Sequence, residues 1–189
     1  TDGSFLLGEL SNKTFTATDG ASYPYKIATF TADTINLGSG VVVNVTGENA
    51  LSLHTRNHGN LTIGTTINVS GGGATESPYA GGAGMAGGFD GGLPDANGYG
   101  PGRGKAKSLI SGTNEQGGGA AYGGRGYDTD SGYSQAYSSA DLTSHLLGGS
   151  GGGGGDVYAG GAGGGAIELV AHGGGVLTLS GSIKANGGH

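Results

Sequence analysis

Between Ile27 and Val69 the apolar and β-branched residues come in short bursts. They are Ile27-Ala28-Thr29-Phe30-Thr31, Thr34-Ile35-Asn36-Leu37, Val41 to Val45, Leu51-Ser52-Leu53, Leu61-Thr62-Ile63 and Ile67-Asn68-Val69. Several alternate apolar with polar positions, the period of a strand with one buried face. Gly-Ser-Gly, Gly-Glu-Asn and Asn-His-Gly sequences separate them and read as turns. Short strands at such close spacing predict an all-β fold. A short parallel β-solenoid fits best, and a β-sandwich is the alternative. Upstream, Phe5-Leu6-Leu7 is an apolar patch, Thr14 to Thr18 alternates like a strand, and Asp19-Gly20 is a turn signal. Tyr23 reads as extended because it precedes Pro24. Residues 1–26 are thus set apart as an N-terminal strand segment.

The pattern returns near the end of the chain. Residues 50–72, ALSLHTRNHGNLTIGTTINVSGG, align without a gap with residues 166–188, AIELVAHGGGVLTLSGSIKANGG, at an offset of 116. Ala50/Ala166, Leu53/Leu169, Gly59/Gly175, Leu61/Leu177, Thr62/Thr178, Ile67/Ile183, Gly71/Gly187 and Gly72/Gly188 are identical. A solenoid coil can be stacked again at any distance along the chain. Residues 27–72 and 166–189 are therefore expected to form the coils, with residues 73–165 inserted between them.

The insert holds 32 glycines in 93 residues and keeps no Gly-X-Y period, which excludes collagen. Ordering glycine costs about 1–2 kcal/mol of backbone entropy per residue, so an ordered insert needs a dense compensating network. Helix is a poor choice for such a composition. Extended strands of the polyproline-II type, three residues per turn, can bond one another where glycine lets their backbones meet. The insert is expected to make several such antiparallel passes. Its tyrosines Tyr79, Tyr99, Tyr122, Tyr127, Tyr133, Tyr137 and Tyr158, with Phe89, would plug gaps. Asp141 to Leu147 is the one candidate helical turn, with Asp141 as its cap.

The formal charge of −6 disfavours nucleic acid and anionic membrane as partners. No 18-residue apolar run exists, so no membrane insertion is expected. No signal peptide is visible, and Thr1-Asp2-Gly3 reads as a mature end left after processing. Cysteine is absent, which removes disulfides and thiol chemistry. Sequons at Asn12, Asn44, Asn60 and Asn68 mark candidate N-glycosylation sites.

Candidate chemistry is thin. Gly148-Gly149-Ser150-Gly151-Gly152 matches G-x-S-x-G, but Ser150 lacks the strand and helix that a nucleophile elbow requires. Gly102-Arg103-Gly104-Lys105 fails as a phosphate loop at Tyr99 and Ala106. Asp128 and Asp130 resemble the start of a calcium loop without its distal glutamate. His54 and His58 are spaced to share a ligand only on a helix, so both are expected on the surface. Asp33, Glu48 and Glu168 do not recur at coil spacing, as a glycosidase on such a scaffold would need. No enzyme activity, cofactor or metal is expected.

Six stretches carry a resemblance: Ile67 to Gly72, Ala86-Gly87-Gly88-Phe89-Asp90-Gly91-Gly92, Gly100-Pro101-Gly102-Arg103-Gly104, Leu147 to Gly153, Gly163 to Ile167, and Gly181 to Gly188. In this order they resemble glycine-rich secreted or surface proteins of environmental bacteria, over about residues 60–189. The resemblance implies an extracellular structural or adhesive part with no known activity. Such chains usually run on past the final Asn-Gly-Gly, whereas this one stops at His189. Packed polyglycine strands also resemble those of some phage tail adhesins and antifreeze proteins, as an analogy of fold. The expectation is a secreted or cell-surface subunit of a head-to-tail filament, its partners copies of itself. Phe5, Leu6, Leu7 and Phe15 would cover the open end of a neighbouring subunit. The alternative is a monomeric adhesin, or a glycan- or ice-binding module that uses the glycine-rich face.

Overall fold

The computed structural model describes residues 6–76, 79–107, 116–122, 125–126, 134–137 and 145–189, without the side chains of Leu6 and Leu7. The chain is all-β, with no helix among the described residues. It opens with a hairpin of β1 (Leu6–Thr16) and β2 (Ser22–Ala32), antiparallel from Leu6↔Thr31 to Thr16↔Ser22. The polar Ser11-Asn12-Lys13 does not interrupt β1. Pro24, which lacks an N–H, sits in the half of β2 that, among the described residues, pairs with β1 alone.

Three stretches of chain then lie one on another. The first holds the end of β2, β3 (Ile35–Leu37) and β4 (Val43–Asn44). The middle one holds β5 (Ala50–Thr55), β6 (Leu61–Ile63) and β7 (Thr66–Asn68). Two short strands in the glycine-rich segment, β8 (Thr75–Glu76) and β9 (Tyr79–Ala80), pair with each other. The last stretch holds β10 (Ile167–Val170), β11 (Leu177–Leu179) and β12 (Ser182–Lys184). Three sheets result, ordered β1-β2-β5-β10, β11-β6-β3 and β12-β7-β4. Apart from the β1–β2 hairpin, every pairing in them is parallel. Ile167 faces Leu51, Leu177 faces Leu61 and Ile183 faces Ile67, so the repeat offset of 116 is also the pairing register.

The core sits between the three sheets. Leu61, Ile63, Ile67 and Val69 are fully buried, and Ile35, Leu51 and Leu53 nearly so. Their burial removes apolar surface from water, at about 25 cal/mol per Å². Ala86 of the glycine-rich segment also enters this core. Its N–H donates to the Gly47 carbonyl (2.8 Å), and its carbonyl accepts from Ala166 (2.7 Å). The body is thereby tied to the corner where β5 and β10 begin.

Within the body the hydrogen bonds recur every third residue. Phe89 and Gly92 donate to the carbonyls of Gly149 and Gly152; Gly160 and Gly163 donate to Gly92 and Phe89; Gly151 and Gly154 donate to Tyr99 and Ala96. The first set runs parallel and the other two antiparallel. This corrects the expectation of antiparallel passes alone, because connections such as residues 93–147 are long enough to bring the chain back in the same direction. Residues after β12 join the body too: Gly188 donates to Ala162, and His189 accepts from Ala74. Lys107 ties two turns together through Asp156 and, at 3.4 Å, Asp95. Glycine is required by contact. A Cβ on Gly163 would lie 1.8 Å from the Gly149 carbonyl oxygen, and one on Gly91 would lie 1.8 Å from that of Gly160.

Candidate functional site

Alternation along β5 turns Leu51 and Leu53 into the core and sets Ser52 and His54 on the opposite face. The register with β10 brings Glu168 beside Ser52. The Ser52 hydroxyl donates to Glu168 Oε2 at 2.5 Å, and His54 Nε2 lies 3.0 Å from the same oxygen. His54 Nε2 is also 2.8 Å from Ser52 Oγ, and His172 Nε2 is 3.3 Å from His54 Nδ1. The two imidazoles meet edge to face at 5.1 Å. Partial burial pushes the Glu168 carboxyl up. The hydrogen bonds from Ser52 and His54 outweigh it, together with the charges of His54 and His172, and leave the carboxyl below its ordinary value.

A serine, a histidine and a glutamate in contact invite comparison with a hydrolytic triad. The geometry differs where it matters. A triad sets its serine on one ring nitrogen and its carboxylate on the other. Here both crowd Nε2, and Ser52 is fully buried, so no substrate reaches its oxygen. The cluster works as a polar clasp that fixes the returning β10 against β5. Among the described residues, no group of three histidine or acidic side chains is arranged to hold a metal ion.

The second candidate is the outer edge of the last layer. Leu177 and Leu179 stand in register with the buried Leu61 and Ile63, yet are 46% and 50% exposed. Val176 beside them is 58% exposed. Beside this apolar strip, β10, β11 and β12 are the outermost strands of their sheets among the described residues.

The residues named from sequence fall as follows. Phe5 lies outside the described residues. Leu6 and Leu7 are in β1, and Phe15 faces Tyr23 across the hairpin. The Phe15 ring packs within its own chain on Tyr137 (5.8 Å) and edge-on to His145 (5.1 Å). The ring assigned from sequence to a neighbour thus has contacts within its own chain, because the hairpin runs past the start of β5 onto the glycine body. Asn12 and Asn44 are exposed. Asn60 and Asn68 are exposed as well, but their Oδ1 atoms accept from the N–H of Val176 (2.9 Å) and of Ser70 (3.1 Å). Ser150 is buried, and its Oγ accepts from Gly102 N–H at 2.9 Å. Arg103 donates to the Tyr23 hydroxyl. His54 is half-buried in the clasp rather than free on the surface, and His58 is exposed. His145 to Leu147 are not helical; Asp141 to Ser144, Tyr127, Tyr133, Asp128 and Asp130 lie outside the described residues. Sequence reasoning missed the clasp, although the offset of 116 already set Glu168 opposite Ser52.

No helix among the described residues is long and apolar enough to cross a membrane. Comparison with protein-family models, with curated proteins and with solved structures returned no match.

Proposed function

We propose that the chain is a short parallel β-solenoid of three coils carrying a bundle of polyglycine strands, and that it serves as an extracellular structural subunit assembling head to tail. The parallel register of all three stacked layers supports the solenoid over a sandwich. The hydrogen-bond period of three supports the polyglycine strands. The exposed sequons Asn12 and Asn44 suit a secreted or cell-surface location.

One observation carries the assembly: Leu177 and Leu179 stay half exposed at positions that are sealed one layer below. Another layer would bury them. At the opposite end β3 and β4 carry no further strand among the described residues, and β1 forms the edge of the four-stranded sheet. A second copy would lay the outer edge of its β1 antiparallel on β10. Its β3 and β4 would then stand about 4.8 Å further from β11 and β12 than a paired strand. Val41 and Val42, in the connection between β3 and β4, are exposed at this end. A contact of this heterologous kind does not close on itself and yields a filament.

The test is solution mass at rising concentration, with electron microscopy, on the chain and on Leu179→Lys. The chain should lengthen into fibres, and the variant should remain a folded monomer. Fibres from the variant, or a monomer at every concentration that binds glycans or ice, would overturn this function.

A further inference from the structure

Segment 160–165 lies at the centre of the glycine body, and its backbone groups sort by threes. The N–H groups of Gly160 and Gly163 donate to Gly92 and Phe89, and those of Ala162 and Gly165 donate to Gly72 and Val69. Its carbonyls accept from Gly82 at Gly160, from Gly152 and Gly149 at Gly161 and Gly164, and from Gly188 at Ala162. Five segments therefore surround it. Four of the contacts between adjacent segments close the ring in order: Gly72 donates to Ala83, Gly91 to Gly82, Phe89 to Gly149, and Gly71 to Asn186. Round the circle come 69–73, 80–84, 87–92, 148–152 and 185–189, and donor-facing neighbours alternate with acceptor-facing ones.

A three-residue helix has room for six such neighbours, three met by N–H and three by C=O. The sixth place falls between 148–152 and 185–189, on a donor face. Within segment 160–165, Gly161 and Gly164 are the two residues whose N–H groups find no acceptor among the described residues. Both are partly exposed, while Gly160, Ala162 and Gly163 are buried. A groove of about 720 Å³ opens there, lined by residues 119–122, 148–150, 161–166 and 187–188 among others.

We infer that this groove receives an extended glycine-rich strand from a second copy of the chain. The walls are backbone. An entering strand must present a carbonyl every third residue and come within hydrogen-bond distance, which a Cβ on the contact face prevents. The chain itself is rich in that chemistry, with 48 glycines in 189 residues, and glycine strands of its own body already bond one another at this spacing. The site is on the flank of the molecule. It rests on the polyglycine assignment of the body, joins molecules side by side, and is independent of the end-to-end contact.

Amide NMR on Leu179→Lys, where the end contact is blocked, tests it. In dilute protein the Gly161 and Gly164 amides should exchange rapidly with solvent, and those of Gly160, Ala162 and Gly163 slowly. Raising the protein concentration should slow Gly161 and Gly164 by about tenfold or more. So should a peptide copied from residues 148–155, Gly-Gly-Ser-Gly-Gly-Gly-Gly-Gly. An oligoproline of the same length, whose rings crowd the contact face, should not. Full protection of both amides in dilute protein would overturn the proposal, as would indifference to the peptide or equal protection by oligoproline. Protection by the peptide without any by added protein would overturn the second copy as occupant.

Discussion

Leu61 and Leu177 lie side by side in register, 116 residues apart, and only Leu61 is sealed from solvent. Identical side chains in equivalent strands thus carry different loads. Leu61→Ala should cost about 2–5 kcal/mol through lost burial and the cavity left behind. Leu177→Ala in the monomer should cost well under half as much. Urea unfolding midpoints of the two variants at low concentration measure the difference. In the proposed assembly the Leu177 variant should lose much of that advantage.

Gly163 is fixed by contact with another backbone. The Gly149 carbonyl stands where its Cβ would go, and backbone cannot rotate away as a side chain can. Gly163→Ala should destabilise by about 3 kcal/mol or more. Gly40→Ala, where nothing lies within 4 Å, is the matched control and should change little. Thermal unfolding of both separates a glycine kept for space from one kept by composition.

The clasp makes stability depend on pH. Glu168 has a lowered folded-state value, so its contribution is full above the ordinary glutamate value of 4.5 and is lost as pH falls through the lowered one. Glu168→Gln should remove that part of the acid-side decline. Midpoints of urea unfolding for both chains, from neutral pH downward, should converge in acid. Parallel curves throughout would show that the carboxylate contributes nothing through ionisation.

Much of this was legible in the sequence because stacked parallel strands copy their register into the chain. The offset of 116 matches the pairing of Leu51 with Ile167 and of Ile67 with Ile183. It also held Ser52 opposite Glu168, although a serine facing a glutamate across a repeat carries no label. His172 was out of reach, since its equivalent in the earlier copy is Arg56. The docking of Phe15 on Tyr137 depends on the hairpin outrunning β5, a matter of strand length that Ser11-Asn12-Lys13 disguises. The direction of each glycine pass was equally hidden, because glycine has no side chain by which to distinguish one face from another.

The stacked register itself is most directly tested by a cross-link. Thr66 and Ser182 pair across β7 and β12, with their hydroxyl oxygens 2.8 Å apart. The chain has no cysteine of its own. Thr66→Cys with Ser182→Cys should close an intramolecular disulfide under mild oxidation, within the range disulfide geometry tolerates. Thr66→Cys with Lys184→Cys, two residues out of register, should not. A bond in the first pair alone, found by mass spectrometry of the linked peptides, is the predicted result. No bond in the first pair, or equal yields from both, would contradict the stacking of residues 50–72 on residues 166–188.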